Sequence, residues 1–134
     1  MRPATLSQAV DLIIAGAPRE ATLAEFLDTF YLAPTAEQQL ACLCDEPRLT
    51  GDARLDALAG AIAEYLAKQY RRASVPAWAF EPGRYLDRPW HTAPFADPGM
   101  REYLTFASPA EFRSRNIFTE ECPLRRARSH LAPQ

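Results

Sequence analysis

No stretch of the chain approaches the roughly 18 consecutive apolar residues of a membrane-spanning helix, so the sequence offers no such span. It also has no Gly-x-Gly-x-x-Gly or Walker phosphate loop and no His-Glu-x-x-His helix. The best-marked nucleotide and zinc-protease chemistries therefore lack their sequence carriers. Cysteine is scarce: Cys42, Cys44 and Cys122 are too few for a complete set of internal disulfides. Free thiols in a reducing compartment fit this count. On a helix, Cys42 and Cys44 point about 200° apart, whereas structural zinc sites use a Cys-x-x-Cys turn that aims both thiolates at one ion. With His91 and His130 as the only histidines, neither a metal nor another cofactor is expected. Cys122 and His91 can be written as a nucleophile pair, but no flanking motif, orienting partner or oxyanion loop accompanies them. An enzyme with an unrecognised Cys/His or carboxylate site is accordingly the third reading.

The start, "MRPATLSQAVDLIIAGAPRE", mimics a weak signal peptide. Asp11 interrupts its apolar patch, and Leu6, Ala9, Val10, Ile13 and Ile14 fit the face of an amphipathic helix better. A cytoplasmic, bacterial-type protein is the expectation.

At 134 residues and 48% apolar content, the chain is sized and composed for a single globular domain. The net charge of −2 hides an asymmetry. Residues 1 to 67 carry a net −6, and residues 68 to 134 a net +4. The halves can pair with each other or face a partner of uneven charge.

Prolines punctuate the chain. A first helix is predicted from about Leu6 to Ala15 with Thr5 as N-cap, ended by Gly16 and Pro18. A second runs from Arg19 to Leu32 with Leu23, Phe26, Leu27, Phe30 and Tyr31 on one face. A third runs from Thr35 to Asp45, opened by a Thr35/Gln38 capping box. The longest, about Asp52 to Arg72, has Leu55, Leu58, Ala59, Ile62, Tyr65, Leu66 and Tyr70 on one face and a Glu64–Lys68 pair. After a Pro/aromatic segment (74–98), "MREYLTFA" and "SPAEFRSRNIF" read as two short helices, the latter with Ser108 as N-cap and Pro109 at N1. No strand alternates convincingly. The predicted class is all-α: four main helices in a bundle or orthogonal packing, a Pro-rich strap, and short C-terminal helices.

The segment "FEPGRYLDRPWH", Phe80 to His91, fits neither a helix nor a strand. Its large apolar groups have most to gain by folding back over the helices. Trp78, Tyr85 and Leu86 are expected to pack there, with Tyr85 and Leu86 near Ile62, Tyr65 or Leu66. Trp90 and His91, between Pro89 and Pro94, are expected to be partly exposed. Trp and Arg in a rigid loop make binding hot spots. Tyr85, Asp87, Arg88, Trp90, His91, Arg113 and Arg115 are therefore the candidate partner-binding residues.

Nucleic acid is the second reading. The third helix contains no Lys or Arg and ends Asp45-Glu46, which repels phosphate. Only Arg113, Arg115, Arg125, Arg126 and Arg128 offer a phosphate-binding patch, and weak, nonspecific affinity is expected of it.

The stretches "VPAWAFEPGRYLDRPWH" and "SPAEFRSRNIF" resemble a pattern in small bacterial antitoxin-like proteins that accompany a nucleotidyltransferase-fold partner. The pattern runs P-x-W, then Y-L-D-x-P-W, then S-P-x-x-F-R-x-R-x-I-F. The resemblance implies a non-enzymatic protein-interaction module whose partner is nucleotidyltransferase-like. It is most specific from Val75 to Phe118 and brings no catalytic signature.

Overall fold

The computed structural model describes residues 2–69, 74–92, 97–120 and 123–124. In chain order the elements are α1 (Leu6–Ile14), α2 (Arg19–Leu32), α3 (Ala36–Cys44), α4 (Ala53–Gln69), two 3₁₀ turns (Ala77–Phe80 and Pro82–Arg84), β1 (Trp90–His91), α5 (Pro98–Ala107), α6 (Ala110–Arg113) and β2 (Ile117–Phe118). The protein is thus mostly helical, as the sequence predicts.

The early helix signals work as read. Thr5 and Thr35 accept hydrogen bonds from the backbone N–H groups of Gln8 and Gln38, each satisfying an orphan donor of its helix. Phe26, Leu27 and Phe30 of α2 are buried, with Leu23 and Tyr31 packed at the margin. α1 touches α2, α3 and α4.

α4 departs from the one-faced helix expected of it. Leu55, Ala59, Ile62 and Leu66 are buried as predicted, but so are Asp56, Ala57, Gly60, Ala61, Ala63, Glu64 and Ala67. Both 3₁₀ turns and α6 pack on α4. The small residues of this helix allow that close approach. They are inconspicuous in the sequence because alanine marks no apolar stripe.

The Pro/aromatic segment does fold back. Trp78 is buried, and its Nε1 donates to the carbonyl of Leu43 at 3.0 Å, tying the segment to the end of α3. β1 and β2 pair in parallel, Trp90 with Ile117 and His91 with Phe118. Two residues per strand leave no alternation to read, so this ribbon escapes a sequence-based search. "SPAEFRSRNIF" is correspondingly not one helix. Asn116 has φ 65°, the left-handed conformation that stops helical winding. Ser108 is not the N-cap of α6. It closes α5, its Oγ donates to the carbonyl of Thr119 at 2.9 Å, and the Thr119 N–H donates back to Oγ.

α5 starts at Pro98, capped by Asp97. Only Leu104 of this helix is buried, and Met100, Tyr103 and Phe106 face outward. The predicted end of the long helix (70–73) lies outside the described residues.

Candidate functional site

The two halves of the sequence pattern meet. The Leu86 N–H donates to the carbonyl of Arg115, the Trp90 N–H to that of Asn116, and the Thr92 N–H to that of Phe118. Asn116 Nδ2 donates to the Leu86 carbonyl at 2.8 Å. The segment 86–92 is therefore clasped to 115–118 along its length.

Beneath the clasp, two arginines lie wholly inside the protein. Arg115, 0% exposed, donates through Nη1 to Glu64 Oε1 at 2.6 Å and through Nη2 to the Ala79 carbonyl at 2.7 Å. Its guanidinium also lies over the Tyr85 ring, 4.7 Å from the centroid. Arg84, also 0% exposed, lies over Trp78 and donates to the carbonyl of Pro47. Burial pulls its pKa down, while the negative charges of Asp56, Glu46 and Glu81 oppose that shift. The two side chains flank Gly60: a Cβ there would lie 2.9 Å from Arg84 Cβ and 3.1 Å from Arg115 Nε.

Arg115 was expected on the surface. It is corrected to an internal group, because Glu64 on α4 supplies a buried carboxylate for it. It presents no atom to a docked partner or to phosphate. Burial disfavours ionisation of Glu64, but hydrogen bonds from Lys68 and Arg115, with their charges, outweigh burial and hold its carboxyl below the usual range. For a depressed carboxyl, the stabilisation is complete above the unfolded value, about 4.3, and is lost as pH falls through the folded value. Denaturant titrations at descending pH should therefore show wild-type stability falling more steeply in the acid range than that of Glu64→Gln. Equal slopes would remove Glu64 from this role.

Trp90 is also corrected. It is 8% exposed, because β1 turns its ring inward. The guanidinium carbons of Arg19 and Arg54 both lie over the indole, 5.5 and 5.2 Å from the centroid. Arg19 opens α2 and Arg54 stands in the first turn of α4, at the positive ends of the helix dipoles, where a cation is disfavoured. Among the described residues, neither they nor exposed Arg88 has a carboxylate within ion-pair distance. Arg19 and Trp90 border a groove of about 300 Å³ whose other walls include Leu23, Leu27, Leu58 and Ile62. Arg54 and Arg88 line a second depression with Leu86, Asp87 and Pro89.

The structure thus brings Asp87, Arg88 and Trp90 into one corner, together with Arg19 and Arg54. Sequence reasoning missed these last two, although a cation at a helix start was a legible signal. Tyr85 is half-buried against Arg115. Leu86 is half-buried, packed at the margin of the core, and lines a depression with Ala53 and Arg54 at the start of α4. His91 stacks on Phe118 at 5.1 Å. Arg113 is exposed on α6 and donates to the Phe106 carbonyl, away from this corner. Arg125, Arg126, Arg128, Cys122 and His130 lie outside the described residues.

Among the described residues, no three His, Cys, Asp or Glu side chains gather to hold a metal. Cys42 is buried and Cys44 exposed, as opposed helix positions require, and burial pushes the Cys42 thiol up. Maleimide labelling followed by peptide mapping should mark Cys44 well before Cys42. Equal labelling would contradict the burial of Cys42. No helix among the described residues is long and apolar enough to cross a membrane.

No protein family, curated protein or solved structure matches the chain.

Proposed function

We propose that this protein is a non-enzymatic interaction module that docks a protein partner at the Trp90 corner. One observation carries the reading: among the described residues, Arg19, Arg54 and Arg88 cluster with no carboxylate within ion-pair distance, two of them at helix starts, beside a groove whose walls include Leu23, Leu27, Leu58 and Ile62. A cation at a helix start is a local exception of the kind functional surfaces carry, offset here only by the Trp90 ring and, for α4, by the Asp52 cap. Arginine anchors beside a hydrophobic depression are a usual centre of a protein interface. The resemblance of "YLDRPW" and "FRSRNIF" to antitoxin-like sequences supports a nucleotidyltransferase-like partner, encoded next to this chain.

The test is co-elution of the neighbouring gene's product with wild-type protein and with Arg19→Glu/Arg54→Glu. The wild type should form a complex, and the double variant should lose it while keeping its thermal unfolding temperature. A complex that survives the charge reversal would overturn the reading.

A further inference from the structure

We infer that the partner segment seated at this corner is acidic and aliphatic: carboxylates facing Arg19, Arg54 and Arg88, and apolar side chains entering the groove beside Leu23, Leu27 and Ile62. This rests on the interaction reading above and adds the chemistry of the partner. Among the described residues, three guanidinium groups border the two depressions against two carboxylates, Glu20 and Asp87. Among the described residues neither carboxylate forms an ion pair with them. The start of α2, which no side chain caps, adds about half a positive charge, whereas the Asp52 carboxylate caps that of α4. The corner is therefore net positive within a chain that is negative overall. An opposite charge on the partner relieves repulsion that the fold leaves in place, and it steers approach.

Nucleic acid fits less well. Its bases stack on exposed aromatic faces, but Trp90 is 8% exposed and carries two guanidiniums over its ring. The groove offers a phosphodiester chain Arg19 and the Thr92 and Thr119 side chains, whereas its larger aliphatic wall, Leu23, Leu27, Leu58 and Ile62, accepts Leu, Ile or Val from a peptide.

The experiment is selection of a displayed random peptide library on the full chain, followed by fluorescence anisotropy with the enriched peptides. Enriched sequences should combine Asp or Glu with aliphatic residues. Their affinity should fall about tenfold or more in Arg19→Glu/Arg54→Glu, and measurably in Arg19→Gln/Arg54→Gln. Higher salt should weaken it. Enrichment of neutral or basic peptides, no enrichment, or displacement of the acidic peptides by single-stranded RNA would overturn the inference. If the neighbouring gene's product binds here but acidic peptides do not, this inference falls and the interaction reading stands. If neither binds here, both fall.

Discussion

Arg115→Ala is expected to destabilise the protein by about 3–5 kcal/mol, the usual cost of breaking a buried ion pair from one side. The loss has four parts, one of them the hydrogen bond from Nη1 to the Glu111 carbonyl at 2.8 Å. Glu64, 9% exposed, would lose its buried cationic partner and keep only Lys68, whose side chain is 53% exposed. The Ala79 carbonyl would lose its guanidinium donor. The Tyr85 ring would lose the cation above it. Arg113→Ala, two residues earlier and exposed, should change stability by no more than about 0.5 kcal/mol. Urea unfolding of both variants makes the comparison. Equal, small effects would mean that Arg115 is not the internal post described here.

Gly60→Ala tests the same region with a sign rather than a size. Helix propensity alone predicts a gain of about 1 kcal/mol for alanine in the interior of α4. The added methyl, however, would meet Arg84 Cβ at 2.9 Å, Arg115 Nε at 3.1 Å and the Ala79 carbonyl oxygen at 3.2 Å. The Ala79 oxygen belongs to the backbone of the first 3₁₀ turn, and neither arginine can swing away without leaving its acceptors. Overpacking of this kind costs about 1–3 kcal/mol, so the net effect should be destabilising. A variant more stable than wild type would show that the strap does not press on α4 at this point.

These two residues also mark the limit of what the sequence discloses. The four early helices are legible because capping residues, prolines and apolar spacing agree over long stretches. The Glu64–Lys68 pair is legible for the same reason, since it is local. Arg115–Glu64 joins positions 51 apart in the chain, and nothing in "FRSRNIF" says which of its two arginines turns inward. Arg84 is hidden likewise, as one charged residue in a turn, although it fills the core beside Trp78. The strap's return over the helices follows from its aromatics. The orientation of Trp90 does not, because it depends on a parallel pairing with Ile117 that forms only when the two distant segments meet. The candidate site was legible in part. Arg88 and Trp90 stand out in the Pro/aromatic segment, while Arg19 and Arg54 are marked only by their place at a helix start until the fold sets both over one indole.

The two roles divide cleanly in space. Arg84 and Arg115 are internal and hold the clasp, whereas Arg54 and Arg88 are exposed beside it. A scaffold that fixes a surface turn through buried polar contacts presents that turn with little conformational freedom to lose on binding, which favours affinity. Stability and binding should therefore separate on mutation, with the buried arginines governing the first and the exposed ones the second.

Hydrogen exchange of the protein, alone and in complex with the neighbouring gene's product, tests the proposed interface most directly. New protection is predicted in residues 86–92 and in the first turns of α2 and α4, the backbone that surrounds Trp90. Protection confined to α5, whose Met100, Tyr103 and Phe106 also face outward, with no change around Trp90, would contradict it.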